Sequence, residues 1–404
     1  KVRGYANSLS AGKSLGMTKS RSFSISVSLT PEGLIHRDTI IGEIFRTIRL
    51  IETTGIDSWR FDELKVISDA NFKFEEESDP QNVVTYLSEK LHSVSPQQLF
   101  TYGRQLRQFD GQLVRDMLSW LTPERMLIRV TAPEIEPTET TTYYPTPIRR
   151  FSLQKDRLKA FQNARAEVSQ VVRLPKPNPF IQAPSKPLPK TRKATIETQP
   201  RILFFSEGAM GYVLTENRYS QPRSDLYIRL RTPLAANSPE ASIMSDLLSD
   251  AINEYLNSLS YAAALAGAGF SAQSTQSGIT LQFSGYHQSL IPLVNQVLDS
   301  LPIPLIDEST WSRLHQLKSQ SLARVQAARP SSRLFDEVTA ELMPFAYSNI
   351  ELNEAFASID RQTFHQYQKA FFSGLKTEMF LHGPVSRNEG QALLESWVQR
   401  LPID

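Results

Sequence analysis

The sequence predicts an α+β protein of two related domains. Each domain would have a mostly antiparallel sheet with helices packed on one face, and a proline-rich extended linker would join the two. Three observations predict this class. Short runs of alternating apolar residues are interspersed with long stretches of helical spacing. Residues 174–189 hold six prolines, and the order of strands and helices before this segment recurs after it.

The composition is that of a globular protein long enough for two or three domains. Of its 404 residues, 40% are hydrophobic and 21% are charged, so each half can bury a core. Lys and Arg number 44 against 42 Asp and Glu, which argues against a nucleic-acid-binding protein. Because no run of 18 apolar residues occurs, we expect no membrane span. The chain lacks cysteine, which excludes disulfides, catalytic thiols and thiolate metal ligands.

The first domain is predicted over residues 1–173. Residues 22–29 alternate apolar side chains with serine, which predicts a half-buried strand. Thr30-Pro31-Glu32 then supplies an N-cap and a first-turn proline for a helix, and Gly55 predicts the end of the helical stretch. Further elements are predicted as helices beginning at Asp57, Asp79, Ser95 and Asp110, a strand over 126–131, a loop over 138–147 and a helix over 158–172.

Residues 174–200 are predicted as an extended strap, because proline fixes φ and has no N–H to donate. The second domain is predicted over residues 201–404. Its predicted strands lie near residues 202–205, 212–215, 226–230, 270–274, 279–284 and 379–381. Its predicted helices begin at Ser238, Ser289, Asp307, Ser331, Asp360 and Asn388. Compared with this second copy, the first copy lacks an opening strand and helix.

No catalytic constellation is predicted from the residues themselves. The six histidines include no H-x-x-E-H and no inverse of it, and G-x-S-x-G does not occur. Ala11-Gly12-Lys13-Ser14 resembles part of a phosphate loop, but the required earlier glycine is Asn7, so a glycine turn is favoured. Asp246, Asp250 and Glu254 stack at four-residue spacing. Without histidine, a polar helix face is favoured there over a metal site.

An ordered set of motifs runs through nearly the whole chain. The motifs are residues 5–9, residues 29–34, LPKPNPFI at 174–181, residues 256–269, Gly285-Tyr286 and Leu381-His382-Gly383. In this order they resemble the second domain, the start of the strap and the third domain of the pitrilysin/insulin-degrading enzyme family of zinc metallopeptidases. The helix beginning at Ser238 would occupy the place of that family's zinc helix, yet it carries no histidine.

The resemblance implies a clamshell metalloendopeptidase of four α+β domains, with zinc held by H-x-x-E-H and a glutamate in the first domain. The chain given would be the non-catalytic central portion, inactive by itself, with zinc bound only in the parent protein. It begins KVRGYANSLS, so we expect it to start within a longer protein. The implied partners are peptide substrates, the N-terminal catalytic domain and the C-terminal fourth domain, with no nucleic acid and no membrane. The implied location is the periplasm.

The resemblance also implies a strand that anchors substrate. In the insulin-degrading branch, an edge strand of the second domain receives the N-terminus of the substrate by main-chain pairing. The matching positions here are Leu9, Ser10 and Ala11, so backbone groups would provide the affinity. The glycine-rich and histidine residues that accompany this site in the family are not found in this chain, so the correspondence covers the strand alone.

Two other functions stay open at this point. The chain could instead be a non-catalytic homologue that acts as a partner or scaffold subunit of a processing protease. An H-x-x-E-H motif upstream of Lys1 in the natural reading frame would favour the protease. An unrelated two-domain binding protein would be favoured if the two halves did not superpose.

Overall fold

The computed structural model describes residues 4–14, 22–182, 199–216, 218–219, 221–235 and 237–402. The chain divides into two compact units that interleave along the sequence. The first unit spans Lys1–Asp62 and Arg107–Pro177, and the second spans Glu63–Leu106 and Asn178–Asp404. The domain boundaries 1–173, 174–200 and 201–404 stay a prediction. In the described part of the chain, every helix is too short or too polar to cross a membrane.

Before residue 178 the chain is mainly helical. Its strands are β1 (Ala6–Lys13), β2 (Phe23–Leu29), β3 (Glu139–Thr140) and β4 (Pro147–Ile148). Its helices are α1 (Pro31–Ile35), α2 (Arg37–Thr54), α3 (Ser58–Lys73), α4 (Pro80–Lys90), α5 (Gly111–Ser119) and α6 (Lys155–Ala166). Single 3₁₀ turns lie at Pro96–Gln98 and Pro123–Arg125.

After residue 178, strands and helices alternate. The strands are β5 (Arg201–Phe205), β6 (Ala209–Thr215), β7 (Arg223–Arg231), β8 (Ala268–Thr275), β9 (Gly278–Tyr286) and β10 (Lys376–Gly383). The helices are α7 (Pro239–Tyr255), α8 (Asn257–Leu265), α9 (His287–Asp299), α10 (Glu308–Gln326), α11 (Pro330–Leu342), α12 (Asn349–Phe356), α13 (Arg361–Phe371) and α14 (Arg387–Val398).

The core of the first unit lies between two helices. Phe45 and Ile48 of α2 are buried against Phe161 and Ala164 of α6. β1 and β2 form an antiparallel hairpin that makes a sheet of its own. The first unit therefore rests on helix packing, and its hairpin contributes little to the buried core.

The second unit is built on a six-stranded sheet with the order β5-β6-β10-β7-β9-β8. All neighbouring strands are antiparallel except β6 and β10, which are parallel. Alternate residues of β7, such as Leu226 and Ile228, are fully buried in one core with Leu247 of α7 and Leu293 of α9. This arrangement confirms the predicted α+β class with a mostly antiparallel sheet and helices on one face.

Six of the predicted helix starts are confirmed by cap hydrogen bonds, whereas Ser289, Ser331 and Asn388 lie inside the first turn of helices that begin at His287, Pro330 and Arg387, and Ser95 precedes only a 3₁₀ turn. An N-cap side chain accepts a hydrogen bond from a first-turn N–H at Thr30, Asp79, Asp110, Ser238, Asp307 and Asp360. Such caps satisfy backbone donors that would otherwise lack a partner, so a short polar residue before an apolar period is a reliable local signal.

The predicted strand over residues 126–131 is wrong, because this segment is irregular and Leu127 is 88% exposed. A strand needs a neighbour to pair with, and no described strand lies beside it. The helix predicted over 158–172 ends at Ala166, and the predicted loop over 138–147 contains the short β3–β4 pair. Gly12 lies within β1 rather than in a turn.

The structure describes only part of the predicted strap. Residues 174–178 have no regular structure, whereas the prediction for residues 183–198 lies outside the described residues. At the end of the described part, the Asn178 side chain accepts a hydrogen bond from the Phe180 N–H and donates one to the Ala262 carbonyl (3.0 and 2.6 Å). The Phe180 side chain is 1% exposed within the second-unit core. This part of the strap is therefore fixed to the second unit.

Candidate functional site

The residues predicted to anchor substrate lie together in the middle of β1. Leu9, Ser10 and Ala11 pair with Val27, Ser26 and Ile25 of β2, and all three are exposed. Because the hairpin forms a two-stranded sheet, the second edge of β1 has no strand partner among the described residues. The Leu9 side chain is 62% exposed. Within the described ranges, β1 therefore offers main-chain N–H and C=O groups that have no strand partner, beside an exposed apolar side chain.

The base of this hairpin is held by the start of α1. The Thr30 hydroxyl donates to the Gly4 carbonyl (2.7 Å), and the Thr30 N–H donates to the Tyr5 carbonyl (3.2 Å). The Tyr5 ring stacks on His36 with centroids 4.6 Å apart. The same threonine caps α1, so one residue ties the helix start to the strand start. These contacts fix the direction in which β1 leaves the helices.

Gly33 is required where α1 meets the hairpin. A Cβ at Gly33 would lie 1.8 Å from the Tyr5 carbonyl oxygen, so Gly33→Ala is expected to separate β1 from α1. We expect faster hydrogen exchange over residues 5–13 and a loss of stability of about 1–3 kcal/mol, the usual cost of overpacking.

Gly42 in α2 gives the matched control for this substitution. A Cβ at Gly42 would meet only Arg46 and Ala164 at 3.5 and 3.7 Å, so Gly42→Ala should be neutral or stabilising by up to about 1 kcal/mol. If residues 5–13 exchange equally fast in Gly33→Ala and Gly42→Ala, the close approach of Gly33 to Tyr5 does not hold the hairpin.

The sheet of the second unit ends in two edge strands, β5 and β8, and at Ala272 the free edge of β8 is occupied by a side chain. The Asn253 amide of α7 donates to the Ala272 carbonyl and accepts from the Ala272 N–H, both at 2.8 Å. At this one residue, Asn253 thus supplies the two hydrogen bonds that a neighbouring strand would make. Sequence reasoning did not identify this role, since nothing in the spacing of Asn253 and Ala272 places them together.

Two of the three stacked carboxylates of α7 lie in ion pairs. Asp246 pairs with Lys318, and Glu254 pairs with Arg313 at 2.9 Å, both partners being on α10. Asp250, between them, is exposed. These pairs lie along the contact between α7 and α10. The polar helix face that the sequence favoured is therefore what the structure shows.

The histidines are distributed over separate environments. His315 stacks on Phe356 with ring centroids 4.3 Å apart, and burial lowers its pKa. His365 Nε2 lies 3.0 Å from the Ile306 carbonyl oxygen. His382 lies 3.6 Å from Asp225 and 3.9 Å from Glu216. In the described ranges, no three His, Asp or Glu residues are placed to hold a metal ion.

His287 is the buried member of this set and is expected to make stability depend on pH. Its Nδ1 lies 2.8 Å from the Ser224 hydroxyl and its Nε2 lies 3.5 Å from Glu389. Burial lowers the pKa of His287 below its ordinary 6.5, against the opposing charge of Glu389. The unfolded chain therefore binds this proton more readily than the folded protein. The free energy of unfolding should then fall as the pH drops below about 6.5.

Denaturant titrations between pH 8 and pH 5 measure this effect. A His287→Gln variant should show a shallower fall in unfolding free energy over that range than the unmodified chain. An identical fall in both proteins would mean that His287 does not contribute to the pH dependence.

Comparison with protein families identifies the class of protein to which this fold belongs. Residues 72–355, well over half of the chain, match the family described as the middle or third domain of peptidase M16. The chain therefore belongs to the peptidase M16 family and represents its middle region.

Curated relatives match almost from end to end of the chain. Insulin-degrading enzyme of Homo sapiens is 25% identical over 98% of this chain, and that of Drosophila melanogaster is 27% identical over 96%. Protease 3 of Shigella flexneri is 25% identical over 94%. In each case the matched region is 39% of the relative, so the chain spans about two fifths of the length of these proteins.

The fold comparison agrees with the sequence comparison. The crystal structure of pitrilysin superposes on the whole chain with a TM-score of 0.74 at 21% identity, and the match covers 43% of that structure. At this identity the likeness concerns the fold alone. It shows that this chain has the fold of the matched part of pitrilysin.

Proposed function

We propose that this chain is the non-catalytic central part of a zinc-dependent metalloendopeptidase, in which β1 anchors the N-terminal end of peptide substrates. The observation that carries this proposal is the exposed, unpaired edge of β1 in a chain of the M16 family. The two units would form part of the wall of a closed chamber. The proline-rich strap would act as the hinge between the halves of that chamber.

The chemistry of the anchor is that of strand addition. Along an antiparallel strand, successive residues direct their N–H and C=O groups to opposite edges. Of the consecutive residues Leu9, Ser10 and Ala11, at least one therefore presents both groups away from β2. An extended peptide can pair with these groups whatever its side chains, which suits an enzyme acting on peptides of varied sequence.

Comparison with the edge strand β8 supports β1 as the strand that anchors substrate. Peptide addition at β8 would have to displace Asn253, whose side chain already uses both main-chain groups of Ala272. At β1, the side chains of residues 8–11 are exposed, and the described residues include no such bond to Leu9, Ser10 or Ala11. Of these two edges, that of β1 is therefore favoured for substrate pairing.

Catalysis would take place outside this chain. Zinc would polarise a water molecule for attack on the peptide carbonyl in the parent protein. The described residues offer no group of ligands that fits zinc, and we assign no step of the reaction to them. The periplasmic location and the peptide substrates of the parent belong to this proposal and rest on family membership.

The anchor can be tested with modified substrates and the full-length parent protein. A peptide that is N-methylated at its second and third residues loses main-chain donors without a change in charge. Its KM should rise about tenfold, because roughly 0.5–1.5 kcal/mol is lost for each hydrogen bond. The same modification near the C-terminus serves as the control. If both peptides keep the KM of the unmodified substrate, β1 is not an anchor.

A further inference from the structure

His36 lies where two helices of the first unit meet. Its N–H donates to the Glu32 carbonyl at the end of α1, and its carbonyl accepts from the Ile40 N–H at the start of α2 (both 3.1 Å). Within the described ranges, the His36 side chain makes no cap hydrogen bond to α2. The backbone of His36 therefore joins the helices, while its imidazole takes no part in building either of them.

The imidazole lies instead between two side chains. Its Nε2 is 2.9 Å from Glu32 Oε1, one turn earlier, and its ring stacks on Tyr5 with the two planes inclined by 22°. The pair with Glu32 is exposed, so it contributes little to stability. It does restrict the plane of the imidazole, and stacked rings are held in a preferred geometry. Glu32 thus orients His36, and His36 orients the ring of Tyr5.

Tyr5, just before β1, contacts α1 and its end at two points. Its carbonyl lies against Gly33, where a Cβ would approach to 1.8 Å, and its ring lies on His36. Because Gly33 and His36 are three residues apart, they lie on the same side of the helical turn. A single point of contact would leave β1 free to pivot, whereas two points fix its direction.

The β1–β2 hairpin has little other support. β2 runs directly into α1 at Thr30, so the chain itself joins one strand to the helices and Tyr5 holds the other. Every residue of β1 and β2 is exposed or half-buried. A two-stranded hairpin is only marginally stable by itself. The orientation of β1 therefore depends on how Tyr5 is seated.

The anchor residues lie far enough along β1 to magnify a small rotation at Tyr5. At about 3.3 Å per residue, Leu9 and Ala11 lie roughly 13 and 20 Å along the strand from Tyr5. A rotation of about 10° would then move them by roughly 2–3.5 Å, which is more than an N–H···O hydrogen bond tolerates. Main-chain pairing with a peptide is therefore sensitive to the seat of Tyr5.

We propose that His36 is a positioning residue for the substrate anchor. Through the ring of Tyr5, it sets the direction of β1 so that the outward main-chain groups of Leu9, Ser10 and Ala11 meet the main chain of an extended peptide. His36 itself neither contacts the substrate nor takes part in hydrolysis. The inference rests on the proposed function of β1 as an anchor.

His36→Ala in the full-length parent protein tests this role. Alanine is a strong helix former, so both helices should persist and the melting temperature should change little. We expect faster amide hydrogen exchange over residues 5–13 and a KM for peptides about threefold higher, with kcat little changed. His36→Phe keeps a ring for Tyr5 and should hold KM within about twofold of that of the unmodified parent. His92→Ala, at an exposed histidine outside the hairpin, is the matched control and should alter neither readout.

N-methylated substrates give a readout that a general loss of stability would not move. In the unmodified parent, N-methylation at the second and third residues should raise KM about tenfold. In His36→Ala the same modification should raise KM only about threefold, because a misdirected β1 has already lost part of these hydrogen bonds.

Several results would overturn the role of His36. These are a KM in His36→Ala equal to that of the unmodified parent, exchange over residues 5–13 as slow as in His92→Ala, and a His36→Phe variant as impaired as His36→Ala. An N-methylation effect that stays tenfold in His36→Ala would reject this role alone and leave the anchor in place. If N-methylation has no effect in the unmodified parent, the anchor itself is rejected, and this inference with it.

Discussion

Replacing Phe180 with alanine is expected to lower the free energy of unfolding of the second unit by about 3–5 kcal/mol. The side chain is 1% exposed and belongs to the same core as the helices and sheet of that unit. Its removal takes away the burial of an aromatic ring and leaves a cavity whose walls relax only in part. The loss would also loosen the described end of the strap, which the Asn178 hydrogen bonds and the packing of Ile181 would then hold.

The effect is measured by denaturant unfolding of the chain, with Phe205→Ala as the matched control. Phe205 lies in β5 of the same unit and is 73% exposed, so the same chemical change should alter stability by no more than about 0.5 kcal/mol. A loss in Phe180→Ala no greater than that in Phe205→Ala would show that this part of the strap is not anchored.

The second large effect is expected from proline in β1. Proline removes one N–H and inserts a ring at that position, so it blocks strand addition wherever the lost N–H faces away from β2. Because successive N–H groups alternate between edges, either Leu9→Pro or Ser10→Pro must remove an outward donor. We expect that variant of the parent peptidase to raise KM for peptides about tenfold, with kcat little changed.

Two comparisons separate this effect from a loss of folding. Leu9→Ala keeps the backbone and should leave KM within about twofold, because main-chain groups provide the affinity in strand addition. The variant whose proline removes a bond to β2 should instead lower the melting temperature. If both proline variants hydrolyse peptides with the KM of the unmodified enzyme, the β1 edge does not contact substrate.

The sequence predicted those elements whose signals are local. A cap such as Asp307 or Ser238 acts within one turn of its helix, so its meaning does not depend on the rest of the fold. α12 was missed although its Ser348–Glu351 capping box is also a local signal, since S-x-x-E can be found by inspection.

What the sequence could not predict depends on distant neighbours. Residues 126–131 have strand-like composition, but a strand forms only beside a partner strand. The local sequence does not show whether such a partner is present. The closure of the β8 edge by Asn253 joins residues 19 positions apart across two elements. The exposure of the apolar side of α11 could not be predicted either. Helical periodicity identifies an apolar face but does not show whether that face packs on the core or faces solvent.

The candidate site was reached through the ordered motifs rather than through its own chemistry. Leu9, Ser10 and Ala11 carry no reactive group, and only the free edge of β1 gives them a possible role. A site made of backbone groups places few requirements on side-chain identity, so it is hard to detect from the sequence. The structure therefore shows that the edge of β1 is exposed, and the family resemblance supplies the hypothesis that this edge binds substrate.

The central claim is tested most directly by peptide hydrolysis. The full-length parent protein and the chain 1–404 are each incubated with a quenched fluorescent peptide, with and without a zinc chelator and with zinc restored afterwards. We predict that the parent cleaves the peptide, loses activity on chelation and regains it with zinc, while the chain 1–404 shows none. Cleavage by the chain alone, or a parent that is inactive with zinc present, would contradict the account.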